Sequence, residues 1–428
     1  MLNAGKFNLA LFIVVLVTIG LFGSSIFTIT GQAQEKDELE IFSWWAGWEA
    51  PALNALINLY EQKYPDVKVI NAAVAGGAGI HAKAVLKTRI LGGYPPDTFQ
   101  VHAGQELIGT WVKANRMEDL TRLYKEEGWL EEVFPQKLID LLSTKEGIWS
   151  VPLTIHRSNI MWYIPDNLKK WGVEPPGTWD EFLNETAPKL EEQGIIPLAM
   201  GINWTAQHLW ESVGLAVLGP DKWEALWSGE LNWTSPEAVK VWEVFDKILE
   251  YTPENAPSLS SQDAASLVSN GKAGFYITGD WQAGYMVITQ KLKPKEDFDW
   301  VPSPGTKGVF MIVCDSFGLP KGAPHRENNI KFLKLVGSKE GSDIFNPPKG
   351  SISPRLDSNL SKYGAYQRSA IKDWRENRIV GSLVHGVVGN EGFMNDFATV
   401  IETFLFNRNP DQVVRACQAL AIEYGIIE

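Results

Sequence analysis

The chain has two cysteines and six histidines in 428 residues. Two cysteines leave no disulfide framework to hold a small, loop-rich fold. In an exported protein Cys314 and Cys417 could pair. Cys314 sits in an apolar run, VFMIVCDSFG, and Cys417 on a helical pattern, VVRACQALAIEYG. Nothing in the sequence brings them together, so the ordinary reading is two buried thiols acting as small hydrophobes. The histidines are scattered without metal-ligand spacing, so no metal or other cofactor is expected. There is no H-E-x-x-H, no G-x-S-x-G and no Walker loop. GGAG at 76–79 lacks the lysine of a phosphate loop and reads as a turn. Positive charge is also short, with 39 Lys and Arg against 51 Asp and Glu. Residues 1–34 carry Lys6 and no acid, so the remainder has a charge of −13. That argues against a nucleic-acid or anionic-membrane surface as the partner. Internal repeats, low-complexity tracts and Pro-rich linkers are absent as well.

Long apolar runs occur once. Leu9 to Thr30 is uncharged, follows Lys6, and leads to small residues at Gly31 and Ala33 before an acidic stretch. Residues 1–34 therefore read as a signal peptide, with an uncleaved membrane anchor as the alternative because the run is long enough to span a bilayer. Both readings place the body outside the cytoplasm, periplasmic or otherwise extracytoplasmic. No cysteine follows the apolar run, so a lipidated N-terminus is not expected.

After the leader, strand and helix patterns alternate. LEIFSWW reads as a strand, and the helix after it has Pro51 in its first turn and Leu53, Leu56, Ile57, Tyr60 and Tyr64 on one face. VKVINAAV is a strand, HAKAVLKTRIL a helix, DTFQVHAG a strand and ELIGTWVKANRM a helix. Further on, Thr178 and Ser235 cap two helices, and KAGFYITGDW and GVFMIVCDSFGLP read as strands. The alternation predicts an α/β fold with a parallel-rich sheet covered on both faces. Ligands bind at the carboxyl ends of strands in such sheets.

What the chain has in excess is tryptophan, 18 in all, and three of them fall within five positions at the end of the first strand: Trp44, Trp45 and Trp48. Most of the 18 must be packing, and Trp111 and Trp242 read as helix-face core. An indole on a loop is costly without a partner, so at least one of the trio is expected to meet ligand. Other groups at predicted strand ends or loops are Gln100, His102, Asp280, Trp281, Asp315, Lys349 in NPPKGS and His385 in GSLVHG. Indoles beside carboxylates, amides and a few cations suit sugars, which offer an apolar face for stacking and hydroxyls at the rim. His156 and His208 read as packing or hydrogen-bonding groups, and His325 as a solvated loop residue. Asp280 and Asp315 could be a glycosidase pair, but nothing in their spacing supports it.

The stretch GIWSVPLTIHRSNIMWYIPDNLKKWGVEPPGTWDEFL, 147–183, resembles the extracellular solute-binding proteins of ABC sugar importers. YPPDTFQVHAG, NGKAGFYITGDW and NPPKGSISPR match the same family's pattern in its order, so the resemblance covers the whole body. It is closest to binding proteins for glucose and galactose. The resemblance implies a periplasmic-binding-protein-like fold of two α/β lobes joined by a multi-strand hinge, with the ligand cleft between them. On this pattern 35–146 and 310–362 form the first lobe, and 147–309 and 363–428 the second. Trp44 or Trp45 and Trp281 would be the aromatic walls. Gln100, His102, Asp315, Lys349 and His385 would hold hydroxyls, and Glu49 and Asp280 flank the matched positions. The implied function is a monomeric, non-catalytic receptor that delivers a monosaccharide to membrane permease subunits. Its alternatives are a receptor for a di- or oligosaccharide, a secreted carbohydrate-active hydrolase, and an adhesive carbohydrate-binding protein.

Overall fold

The first strand, β1 (Asp37–Phe42), lies between β2 (Val67–Asn71) and β3 (Thr98–His102), paired parallel to both. This parallel start is what the alternation of strand and helix requires, because parallel neighbours need a crossover between them. A computed structural model describes residues 37–427, apart from 77, 78, 131, 202 and 203. The expected signal or anchor at 1–34 lies outside the described residues. Among those residues no helix is long and apolar enough to cross a membrane.

The chain continues through a small hairpin, β4 (Ser143–Thr144) and β5 (Gly147–Ile148), into β6 (Ser150–Arg157) and β7 (Ile160–Tyr163). Then come β8 (Ile196–Ala199), β9 (Ala273–Thr278), β10 (Asp299–Pro302), β11 (Val309–Gly318) and β12 (Arg378–Gly381). They form two main sheets. The first has the order β2-β1-β3-β11-β12, with β6 also paired to β11; the second has the order β10-β7-β9-β8. Helices cover the sheets. The Ala50–Lys63 helix buries Leu53, Leu56, Ile57 and Tyr60, the face its periodicity predicts. Thr178 and Ser235 cap helices through their side chains, as their positions predict. Glu106–Val112 is helical but wound as a π-helix.

β11 joins the two halves. Its first residues, Val309 to Ile312, pair parallel with β12, and its last, Asp315 to Gly318, pair antiparallel with β3. Along Ile312 to Gly318 its other neighbour is β6. Successive side chains of a strand point to opposite faces. Thus Phe310, Ile312 and Cys314 enter one hydrophobic core, with the Ala50–Lys63 helix and β1, while Val309 and Met311 enter another. That second core includes Trp210, Trp223, Trp233 and Trp242. Trp111 belongs to the first, so the packing role expected of Trp111 and Trp242 holds. Cys314 and Cys417 are buried free thiols.

Two placements differ from the sequence reading. Asp315 is not at a loop but inside β11, beside a register shift between Asp315 and Ser316. Its carboxylate breaks an apolar run, which looks like a strand end, yet the chain stays extended because β3 and β6 both pair through it. Lys349 ends the Lys339–Lys349 helix, which contains Pro347 and Pro348. The prolines argued for a loop, but Asn346 donates to the Leu153 carbonyl at 3.0 Å and Phe345 is fully buried, which hold the turn in place. Gly350, at φ +83°, ends that helix in the left-handed conformation. His325 is not simply solvated, since its backbone N–H and Nδ1 meet Asp97 at 2.6 and 3.0 Å.

Arg157, 2% exposed, ties the strands together behind the cleft. It donates to Asn159 Oδ1 at 3.1 Å, to the Val309 carbonyl at 2.8 Å and to Asp373 Oδ2 at 2.5 Å. Arg157→Ala is expected to lower unfolding free energy by about 2–4 kcal/mol in chemical denaturation, because it removes three hydrogen bonds and a buried side chain, although Val309 and Asn159 each keep another donor. A loss below about 1 kcal/mol would show that these bonds do not hold the strands.

Candidate functional site

Strand periodicity builds the floor of a cleft of about 410 Å³. Gln100 and His102 are two apart on β3, Val313 and Asp315 two apart on β11, and Thr154 and His156 two apart on β6, so each pair shares a face. Register sets Asp315 opposite His102 on one side and Thr154 on the other. Gln100 Nε2 donates to Asp315 Oδ1 at 2.7 Å, and Gln100 Oε1 accepts from the Trp44 backbone N–H at 3.1 Å. One amide therefore positions both the floor carboxylate and the tryptophan turn.

The imidazoles are held from behind. His102 Nδ1 lies 2.7 Å from Glu106 Oε2, and His156 Nδ1 lies 2.5 Å from Asp280 Oδ1. A carboxylate accepts, so each Nδ1 carries a proton; this assignment follows from the hydrogen-bond network. The Nε2 atoms turn to Asp315, at 3.4 Å from Oδ1 for His102 and 3.6 Å from Oδ2 for His156. Burial works against the charge of Glu106, but Lys83 and His102 outweigh it and bring its pKa down to about 2. Lys83 Nζ lies 2.6 Å from the same carboxylate.

His385 is held differently. Glu211 accepts from the Ser382 hydroxyl and from the Leu383 and Val384 N–H groups, the last two at 2.9 and 3.2 Å, and so anchors the loop that carries His385. Glu211 also lies 3.1 Å from His208 Nδ1, and His208 Nε2 lies 2.8 Å from His385 Nε2. One of those two nitrogens must accept, so both rings cannot be fully protonated. Burial first, then His208 and His102, push the His385 pKa well below its ordinary value.

Tryptophans form the walls. Trp44 lies against His102, with ring centroids 5.0 Å apart. Gly79, at φ +98°, would put a Cβ 3.0 Å from the Trp44 ring, so only glycine lets this turn approach so closely. Trp48 lies under Lys349, whose Nζ is 5.2 Å from the ring centroid and 2.8 Å from Glu49 Oε1. Trp281 opens the Trp281–Ile288 helix, and its Nε1 finds no hydrogen-bond partner among the described residues. Trp45 is 1% exposed and packs against Phe317 and Phe345; it borders the cleft from within the core.

Of the residues singled out in sequence, Trp44, Trp45, Glu49, His102, Trp281, Asp315, Lys349 and His385 line this one cleft. Gln100 and Asp280 do not; they stand behind Asp315 and His156. His156 and His208 were both read as packing or hydrogen-bonding groups; His156 hydrogen-bonds Asp280 and also lines the cleft, while His208 is wholly buried as a hydrogen-bonding group. Trp204 and Ser260 to Gln262 also line it. Trp204 follows β8 closely, so the rule of strand ends that picked Trp44 applies to it equally. Ser260 caps a helix whose start gives no strand-end signal. No group of His, Cys, Asp and Glu among the described residues is placed to hold a metal.

The model of the family "Bacterial extracellular solute-binding protein" matches residues 46–343, more than half of the chain. The chain belongs to the bacterial extracellular solute-binding proteins. An uncharacterized ABC transporter extracellular-binding protein of Pyrococcus horikoshii is 36% identical over 377 residues, 86% of this chain and 84% of that one. A probable sugar-binding periplasmic protein of Brucella suis is 30% identical over 383 residues, 86% of this chain and 88% of its own. Among solved structures, the bacterial solute receptor AcbH, described as having an exclusive preference for β-D-galactopyranose, superposes with a TM-score of 0.80 at 18% identity. The match covers 91% of this chain and 99% of AcbH. These likenesses confirm the two-lobe periplasmic-binding fold, and as an extracellular solute-binding protein the chain works outside the cytoplasm.

A histidine whose pKa is lowered in the fold favours its neutral form there, so its contribution is complete above about pH 6.5, its unfolded value, and is lost as pH falls below it. Wild-type melting temperature is expected to fall between about pH 7 and pH 5, with a shallower fall in His385→Gln. Equal acid limbs in the two proteins would remove His385 from this balance.

Proposed function

We propose that the protein is the sugar-binding receptor of an ABC-type importer and that its ligand is an aldohexose, glucose or galactose first. One observation carries this: a single cleft sets the indoles of Trp44, Trp48, Trp204 and Trp281 around Asp315, His102, His156 and Lys349. Indole faces take the C–H face of a pyranose, and the polar groups take its rim. The charges also suit a neutral ligand. Lys349 is paired with Glu49 and Lys83 with Glu106, so neither cation is left over for an anion. Beyond its bond from Gln100, Asp315 keeps lone pairs that can accept from hydroxyls, and Trp281 Nε1 has no partner among the described residues and can donate. The cleft is complete within one chain, which favours a monomer.

The magnitudes are adequate. Micromolar binding needs about −8 kcal/mol. Spread over about 12 heavy atoms this is about −0.7 per atom, against a ceiling of about −1.5 for very small ligands. Hydrogen bonds to charged groups are worth about 1.5–3 kcal/mol each, so a few around Asp315 and Lys349 suffice. A hydrolase reading fares worse, because Asp280 is behind His156 and not across the cleft from Asp315. The two cannot flank one glycosidic bond as a catalytic pair must.

Calorimetric titration against mono- and disaccharides tests the reading, with one-to-one binding of glucose or galactose, returned unchanged, as the expected result. Binding of maltose or cellobiose with no binding of either hexose would sink the monosaccharide assignment. Asp315→Ala and Lys349→Ala are each expected to weaken hexose binding by about 2–4 kcal/mol, since each leaves polar partners unpaired; wild-type affinity would remove that residue from the site. The lobes are expected to close on the sugar through its differential contacts with the closed state. Small-angle scattering would show a smaller radius of gyration with sugar, and an unchanged radius in a sample that binds would mean a preformed pocket.

A further inference from the structure

Behind His385 the polar groups form a chain of three, Glu211, His208 and His385, and the first two are wholly buried on the Trp204–Ser228 helix. The Glu211 carboxylate accepts from the hydroxyls of Ser158 and Ser382 and from the Leu383 and Val384 N–H groups. Its Oε1 lies 3.1 Å from His208 Nδ1. Ser158 Oγ lies 3.2 Å from the same nitrogen, but its one proton is given to Glu211. Both neighbours of His208 Nδ1 therefore accept, and that nitrogen carries a proton. A second proton, on Nε2, would put a full charge on a wholly buried ring, with a carboxylate already shared among other donors to offset it. The neutral ring keeps a lone pair on Nε2, which lies 2.8 Å from His385 Nε2. Two lone pairs repel at that distance, so His385 Nε2 carries a proton and donates.

We infer that Glu211 and His208 act together as positioning residues for sugar recognition: they hold His385 in the tautomer protonated on Nε2, so that its Nδ1 meets a ligand hydroxyl as an acceptor. The inference rests on the sugar-receptor reading above and deepens it. His385 lines the cleft, and Nδ1 is the nitrogen that His208 leaves for a ligand. Burial first, then His208, His102, Lys83 and His156, lower the His385 pKa, so the ring holds one proton and not two. The cleft thus carries histidines of both tautomers. A carboxylate stands directly behind His102 and His156 and puts their proton on Nδ1. Behind His385 an imidazole is interposed, and the proton sits on Nε2 instead. Trp204 and Trp281 meet His208 edge-on, with ring centroids 5.5 and 5.2 Å away, and keep its plane fixed. Both indoles also line the cleft, so the relay is built into the wall that a sugar would touch.

The test is nitrogen NMR of the protein isotopically labelled at histidine, with His385 assigned by loss of its signals in His385→Gln. In the sugar-free wild type His385 Nδ1 is expected to resonate as an unprotonated nitrogen and Nε2 as an N–H, with the reverse for His208. His208→Leu can neither donate to Glu211 nor accept from His385. It is expected to release the His385 tautomer and to weaken glucose or galactose binding in calorimetry by about tenfold. His208→Gln can do both through one amide, and is expected to recover the Nε2–H tautomer and most of the lost affinity. A His385 protonated on Nδ1 in the wild type overturns the inference, and that measurement needs no variant to fold. Affinity lost in His208→Leu with the tautomer unchanged, or lost equally in His208→Gln, would mean packing alone and also overturns it. A wild type with the expected tautomers that binds neither hexose overturns the monosaccharide reading and the sugar contact built on it, so the two failures are told apart.

Discussion

The structure depends on one strand being shared. β11 pairs with β12 at its start and β3 at its end, and its alternate side chains enter two different cores. Where those neighbours change over, the sheet presents Val313 and Asp315 to the cleft. A carboxylate buried in a strand needs partners, and here it has Gln100 at hydrogen-bond distance and two imidazoles slightly farther off. The site therefore lies on the element that both cores share, so a change in the position of β11 would be felt in both cores and at Asp315.

Around that strand the polar groups are set out in layers. Glu106, Asp280 and Glu211 do not line the cleft; each sits behind a histidine and fixes its ring. Gln100 plays the same part for Asp315 and for the Trp44 turn. Such backing groups make the facing atoms donors or acceptors of one defined kind, at no cost of reorganisation when a ligand arrives. Tyr366 donates to Asp280 at 3.1 Å, which carries this order one layer deeper.

The three neighbouring tryptophans divide the work of the first strand's end. Trp44 faces the cleft beside His102, Trp48 carries the Lys349 ammonium over its face, and Trp45 anchors the turn in the core between Phe317 and Phe345. A turn that must present two indoles to a cleft needs a third to hold it down. Gly79 then lets the start of the next helix press on Trp44.

The parallel start of the first sheet, β2-β1-β3, the helix caps at Thr178 and Ser235, and the collection of chemistry at strand ends were legible in the sequence, because each rests on local pattern: period 2 in strands, period 3.6 in helices, and a hydroxyl before a first turn. The same locality explains the misplacements. Asp315 and Lys349 looked like loop residues because a carboxylate or a pair of prolines interrupts a pattern, and the partners that keep those stretches regular, β3, β6 and Leu153, are distant in the chain. His156 looked like a packing or hydrogen-bonding group, not a cleft residue, for the converse reason. Its own strand is wholly buried, and only the meeting of β6 with β11 puts its Nε2 beside Asp315. Sequence thus determined which residue types were available at which strand ends. Tertiary structure decided which of them face the cleft and which stand behind it, because a buried polar group is defined by the partner it finds across the sheet, and no local pattern records that partner.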